Sequence, residues 1–258
     1  MITSTQIQAL AKKFQIDDFT IMREYLQVLF LSYLYTYRIS KNIYFKGGTT
    51  IRLLLNSPRF SEDLDFSCAL SKPQIRQLIA KLEKQLQAEL PTIHLALLFS
   101  GKNGLRYQIK YQSPGFKYPF NLRLDFTMVK KILEPTYSPL ITTFPIAIFP
   151  IIAHPSFAEI LAEKLCALSS RDKGRDYYDT WYLLEKGIIP DSKLLTQKFV
   201  ENNLEFNHLK LIKKINSYSQ KTLSMDLAQF LPKSQKKIIP MLLDLLKNKI
   251  GVVYYPNP

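Results

Sequence analysis

The sequence predicts an α+β protein, a mixed sheet with flanking helices followed by a helical C-terminal half. Three observations carry this. Short apolar runs with period-two alternation gather before residue 130, helical patterning dominates from residue 156 onward, and the proline-marked segment 133–155 separates the two. The predicted division is a sheet-containing domain over 1–135 and a helical domain over 136–258.

The elements follow in order. Residues 18–37 read as a long helix, apolar on most faces and so expected to be buried. IYF at 43–45 is a short strand that runs into KGG, and 49–55 has helical composition broken by Asn56-Ser57-Pro58. LDFSC is a second short strand, and Ser71 caps a polar helix over about 73–90. TIHLALLFS, LRYQIKYQ and FNLRLDFTMV are strands separated by the turns GKNG and SPGFKYP, the pattern of an antiparallel meander. From 156 to about 248 the chain reads as helices, with breaks near Lys173-Gly174, Gly187 to Pro190, and Pro232. Trp181 and the tyrosines around it, Tyr177, Tyr178 and Tyr182, are expected to pack the helical core.

Composition narrows the function classes. Hydrophobic residues make up 47% of the 258 and aromatics 12%, which excludes a disordered chain. The N-terminus lacks the apolar core and cleavage site of a secretory signal. The most apolar runs, 27–37 and 146–153, are shorter than the roughly 18–20 residues a membrane span requires. A cytoplasmic protein with no membrane partner is expected. Cys68 and Cys166 match no metal-ligand spacing and read as free thiols of a reducing compartment. With 35 Lys and Arg against 21 Asp and Glu, the formal charge of +14 attracts polyanions, nucleic acid among them.

Against that basic background stands FKGGTTIRLLLNSPRFSEDLDF, with two of the chain's 8 glycines adjacent and acids clustered nearby. Residues two apart in a strand share a face, so Asp63 and Asp65 present both carboxylates on one side while Leu64 and Phe66 face the core. Two like charges so close require a cation or a proton. Paired hard oxygens suit Mg²⁺ together with phosphate oxygens and water. The plainer alternative has Asp63 capping a turn and Asp65 paired with an arginine. Asp125, in NLRLDFTM, would complete a three-carboxylate cluster from an antiparallel strand beside DLD, as two-metal phosphoryl transfer requires. Its plainer alternative is an ion pair with Arg123 or another basic residue. Gly47 and Gly48, at a strand-to-helix turn, permit backbone conformations closed to other residues and present N–H groups at a helix N-terminus, a phosphate cradle to which Thr49 or Thr50 can add a hydroxyl. KGGTT is neither a Walker A loop nor a GxGxxG fingerprint. A tight turn that needs glycine for shape alone is the alternative.

FKGGTTIRLLL…RFSEDLDFS resembles the signature of the AbiEii/AbiGii toxin family, a branch of the nucleotidyltransferase superfamily that includes the MenT toxins. Gly47-Gly48, Asp63 with Asp65, and Asp125 fill the superfamily's slots in order. The family's second signature, a lysine-bearing helix followed by RDxxD, resembles EILAEKLCALSSRDKGRDYYDTWYLL. Together the two signatures cover about 24–184. The resemblance implies a nucleotidyltransferase-like sheet, Lys164 and Asp176 as active-site residues from a helical domain that completes the cleft, and Asp179 beside them. Read without it, Arg175 and Asp179 are an i,i+4 pair worth about 0.2–0.5 kcal/mol. Ser61 and Arg59 are expected at the triphosphate, with bracing of the DLD strand the alternative for Arg59. Lys46 and Arg52 receive no assignment, and Arg171 and Lys173 contact RNA backbone or sit in a solvated loop.

The implied activity is transfer of a nucleoside monophosphate from an NTP, with two Mg²⁺ ions held by Asp63, Asp65 and Asp125. The implied acceptor is RNA, foremost the 3′ end of tRNA, and the implied partner is a cognate antitoxin encoded nearby. Two other classes remain open: a phosphotransferase that moves the γ-phosphoryl group, and a non-catalytic RNA-binding module.

Overall fold

The computed structural model describes residues 1–254. The chain separates into two compact units, Met1–His154 and Pro155–Pro258.

The first unit opens with α1 (Ser4–Phe14), a helix whose start is fixed by a reciprocal Thr3–Gln6 capping box and whose end is Gln15 in the left-handed conformation. Asp17 caps α2 (Asp18–Leu34) by accepting from the Thr20 backbone and hydroxyl. As expected from its composition, α2 is buried almost all round, with Ile21, Tyr25, Val28, Phe30 and Leu31 at 0% exposure. A 3₁₀ turn, Arg38–Asn42, leads into β1 (Ile43–Lys46), then α3 (Gly48–Leu55), β2 (Leu64–Cys68) and α4 (Lys72–Glu89). The meander follows as β3 (His94–Gly101), β4 (Gly104–Tyr111) and β5 (Phe120–Met128).

The five strands lie in the order β1-β2-β5-β4-β3. The β3–β4 and β4–β5 pairs are antiparallel, as the turn spacing predicts. The pairing of β5 with β2 is parallel, which corrects the antiparallel arrangement expected from sequence. Between β2 and β5 the chain runs through α4 and a complete hairpin, long enough for a crossover that returns the strand in the same direction. One face of the sheet buries Phe45, Leu64, Phe66, Ile109, Leu124 and Phe126 in a core shared with α2 and α4. Phe66 and Phe126 stack there at 4.9 Å. Along β5 buried and accessible residues alternate, so the opposite face carries Asn121, Arg123, Asp125 and Thr127.

The proline-marked segment contains structure the sequence reading omitted. β6 (Pro135–Pro139) and β7 (Ile151–Pro155) form a two-stranded sheet, tied by the His154 ring to the Ser138 hydroxyl at 2.9 Å.

The second unit is helical: α5 (Phe157–Ser170), α6 (Gly174–Glu185), α7 (Ser192–Glu201), α8 (His208–Ser217), α9 (Gln220–Leu227), a 3₁₀ segment Lys233–Met241, and α10 (Leu242–Tyr254). α5 packs on α6 and α7, and α6 packs on α9 and α10. Tyr177, Tyr178 and Tyr182 are buried in it, as predicted. Lys198 is buried between Glu159 at 2.6 Å and Glu163 at 3.2 Å, a lysine kept charged inside the unit by two carboxylates.

Candidate active site

β1 delivers the chain to Gly47 at φ 84° and ψ −165°, a conformation that side-chain-bearing residues rarely adopt. A Cβ at Gly47 would stand 2.5 Å from Asp65 Oδ2, so the turn packs its bare backbone directly against that carboxylate. Gly48 begins α3, whose first-turn N–H groups have no partner within the helix. Thr49 is 1% exposed and its hydroxyl donates to the Asp63 carbonyl, which ties the start of α3 to the chain entering β2. The Thr50 hydroxyl is buried without a hydrogen-bond partner.

A single cross-strand row brings the charged groups together. Lys46 on β1 lies opposite Asp65 on β2, Asp65 opposite Asp125 on β5, and Asp125 opposite Arg106 on β4. Asp63 stands one residue ahead of β2 and accepts from Arg123 Nε at 3.1 Å and Nη2 at 2.5 Å. Asp125 accepts from Arg106 Nε at 2.6 Å. The hydrogen bond to Asp63, and then its charge, hold the Arg123 guanidinium above its ordinary pKa. Mutual repulsion among the three acids is therefore relieved by arginines from the open face of the sheet. Asp65 and Asp125 are neighbours. Asp63 is engaged by Arg123, and among the described residues no three His, Cys, Asp or Glu side chains converge as a ready metal set. Asp125 makes the ion pair with a basic residue that the plainer alternative foresaw, and the residue is Arg106; Asp63, foreseen there as a turn cap, pairs instead with Arg123. Beside Asp65 and Asp125 opens a depression of about 670 Å³ bounded by Arg106 and the β3–β4 turn. A smaller one of about 290 Å³ adjoins Asp63 and Arg123.

The segment ahead of DLD is braced from beneath. Gln27, fully buried on α2, donates through Nε2 to the carbonyls of Ser61 and Glu62 at 3.0 and 2.9 Å. Arg52 grips Glu24 of α2 at 2.7 and 3.0 Å, donates to the Ser57 carbonyl at 2.8 Å, and lies over the Phe60 ring at 3.8 Å. Arg59 is 2% exposed and donates to the Phe60 carbonyl. Its guanidinium is thus built into the brace. Glu24 and Gln27 were missed by the sequence reading, although a signal existed. Two polar residues three apart on a helix expected to be buried must find partners.

A second cluster lies in the helical unit. Lys164 on α5 meets Asp176 Oδ1 at 3.0 Å and Asp179 Oδ2 at 2.7 Å on α6. Arg171 adds two hydrogen bonds to Asp176, at 2.7 and 3.1 Å. Burial alone would raise the Asp176 carboxyl, but the charges of Lys164 and Arg171 outweigh it and leave the group at about 2. Arg175 lies over Phe230, and Arg171 stands in the exposed loop between α5 and α6 that the sequence predicts, from which its guanidinium reaches Asp176. The structure thus joins Lys164, Asp176 and Asp179 in one network, as it joins Gly47, Asp65 and Asp125 in the other.

Comparison with known proteins bears on both clusters. Residues 30–245 match the profile of the family described as nucleotidyl transferase AbiEii toxin, Type IV TA system. No curated protein matches the sequence. Among solved structures the chain resembles MenT4, a nucleotidyltransferase toxin from Mycobacterium tuberculosis, with TM-score 0.66 and 15% identity over 100% of this chain and 91% of that one. It also resembles JHP933 from Helicobacter pylori, with TM-score 0.54 and 18% identity over 92% of this chain and 95% of that one. A nucleotidyltransferase from H. pylori described as putative gives TM-score 0.54 and 19% identity over 92% and 98% of the two chains. At these identities the structures speak for the fold. The profile match, which takes in the glycine turn, the three aspartates and the lysine helix, shows that this chain belongs to the AbiEii family of nucleotidyltransferase toxins from type IV toxin–antitoxin systems.

Proposed function

We propose that this enzyme transfers a nucleoside monophosphate from an NTP to the 3′ end of an RNA, with tRNA as the acceptor and arrest of growth as the outcome. The observation that carries the reading is the adjacency of three features: the Gly47 turn set against Asp65, and Asp65 set beside Asp125 in strand register. Net charge of +14 favours a polyanionic acceptor.

The donor set fits divalent cations. Asp63, Asp65 and Asp125 offer only hard oxygens, and the missing side chain at Gly47 lets Asp65 Oδ2 hold its place against the turn. Mg²⁺ bound there, two ions in the full site, would neutralise the triphosphate and the charge that develops at the α-phosphorus. The backbone N–H groups of Gly47, Gly48 and Thr49 receive the phosphate tail, because the Thr49 hydroxyl already serves the Asp63 carbonyl. Ser61 adds a hydroxyl from the braced segment, and Arg59 acts by holding that segment. The acceptor hydroxyl oxygen bonds to the α-phosphorus, the bond to the bridging α–β oxygen breaks, and pyrophosphate leaves. Asp125 orients that hydroxyl and accepts its proton. In this scheme Arg106 and Arg123 hold the carboxylates in place until substrate and cation displace them. Lys164, Asp176 and Asp179 enter through the family's second motif, Lys164 as a cation for the phosphates and the two aspartates as the groups that orient it.

Among the described residues no helix is long and apolar enough to cross a membrane, and we place the enzyme in the cytoplasm with its RNA. Its family implies a cognate antitoxin.

Purified protein incubated with Mg²⁺, each α-labelled NTP in turn and total cellular RNA tests the proposal. Label in a tRNA-sized band that vanishes in Asp63→Ala/Asp65→Ala is the expected result. Label carried only from γ-labelled NTP would replace the proposal with γ-phosphoryl transfer.

A further inference from the structure

The row of paired residues does not stop at Arg106. It ends on β3 at Phe99, the Cα partner of Arg106, on the outer strand of the sheet. A register shift between Leu97 and Phe99 sets Phe99, not Leu98, in that position. Bulges of this kind re-aim a side chain beside a site. The ring is 59% exposed although large and apolar. The ring sets its Cζ–Cε1 edge against the end of the hairpin: a Cβ at Gly101 would stand 2.3 Å from Phe99 Cζ and 2.5 Å from Cε1, so this glycine makes the room the ring occupies. Lys72 of α4 donates to the Gly101 carbonyl, and Arg76 donates to the Ser100 hydroxyl at 3.1 Å, which anchors the same turn from behind. Phe99, Lys102 and Arg106 line the depression that also holds Asp65 and Asp125.

Strand order gives this surface a direction. The glycine turn flanks Asp65 on the β1 side, and the Phe99 surface flanks Asp125 on the other side. Displacement at phosphorus is in line, so the nucleophile arrives opposite the departing pyrophosphate. With the phosphate tail on the glycine turn, the acceptor must come from the side of Asp125. Phe99 is two strand spacings from Asp125, about 10 Å. That is close to the reach from a ribose 3′-hydroxyl to the far edge of its own base.

We propose that Phe99 is the stacking platform for the 3′-terminal base of the RNA acceptor, with Lys102 and Arg106 beside it attracting the strand's phosphate. The assignment rests on the transferase reading of the same site and names the part of it that holds the acceptor. An aromatic face binds any base, so the contact fixes where the strand ends and not its sequence. It makes Phe99 a positioning residue, whose removal costs acceptor binding while leaving the NTP end of the site intact.

The test uses the whole chain as wild type, Phe99→Ala and Phe99→Trp, with a single-stranded oligoribonucleotide that ends in a fluorescent purine. Stacking quenches such a base. The expected result is quenching by wild type and Phe99→Trp, its loss in Phe99→Ala, and a KM for RNA raised about tenfold in Phe99→Ala with KM for NTP unchanged. Equal quenching by wild type and Phe99→Ala, or none by wild type, overturns the assignment. Incorporation of α-label by wild type reports separately on the transferase reading. A wild type that quenches but incorporates nothing sinks that reading and leaves the stacking surface standing.

Discussion

Replacing Gly47 with alanine imposes two separable costs, and the structure sizes both. Backbone at φ 84° and ψ −165° belongs to a region that is essentially glycine-only, and holding alanine there costs about 1–3 kcal/mol. For a unit of this size that lowers Tm by about 2–12 °C. The second cost is steric. The new methyl would begin 2.5 Å from Asp65 Oδ2 and 3.3 Å from its Cβ and Cγ, so the carboxylate must retreat by about 1 Å to reach ordinary contact. A displacement of that size at a reacting centre costs on the order of 100-fold in rate. Gly115→Ala is the control, since Gly115 has φ 83° and nothing within 4 Å of its missing Cβ, and should show strain alone with activity intact. In an Asp65→Ala background the nearest clashing atom is gone, so Gly47→Ala should destabilise less than it does in the wild type. Thermal melts on the four single and double variants, with nucleotide incorporation measured alongside, decide the matter. Full activity in Gly47→Ala, or additivity of Gly47→Ala and Asp65→Ala within about 0.5 kcal/mol, would refute the argument.

Two further outcomes are expected. Arg52→Ala leaves Glu24, whose side chain is 6% exposed, without its bidentate partner and should destabilise the protein by about 3–5 kcal/mol in urea unfolding; a loss below 1 kcal/mol would mean the brace is dispensable. The Asp176 carboxyl sits at about 2 in the folded chain against an ordinary 3.8, so its stabilisation is complete above about pH 4 and is lost as pH falls through 2. That contribution is on the order of 2 kcal/mol. Urea midpoints measured between pH 5 and pH 2 should therefore fall less steeply in Asp176→Asn than in wild type, and parallel curves would refute the assignment.

The parts of the fold that were legible had strong local grammar. β2 emerged at its predicted residues because Leu64 and Phe66 alternate with Asp65 and both sink to 0% exposure. The meander was readable from its turns, and the start of α4 from Ser71 as its cap, which the structure completes as a capping box with Gln74. What failed to show was non-local. Alternation says which side chains face the core but nothing of strand direction, so the parallel β2–β5 pairing could not be read. β6 and β7 were hidden because Pro135, Pro139 and Pro155 sit at their ends and present as breakers. α1 was passed over although Ile7, Leu10, Ala11 and Phe14 recur at helical spacing, a short stripe of which Ile7 and Ala11 are buried and Leu10 and Phe14 pack against the core. For the site, the glycine turn and acids were legible as motifs, whereas their arginine partners were not. Arg106 and Arg123 come from strands 19 and 60 residues away, and only register brings them to Asp125 and Asp63.

Gln27 reads the segment before Asp63 through peptide carbonyls, a group that every amino acid supplies alike. The placement of β2 by this contact is thereby decoupled from the identities of residues 61 and 62. Substitution at those two positions leaves this anchor in place, and its cost is confined to what each side chain does itself, the proposed hydroxyl contact of Ser61 and the pairing of Glu62 with Arg23. Position 27, remote from any substrate and sealed inside the core, has no such freedom. A saturation library should find its strictest letter there, in the middle of an otherwise greasy helix.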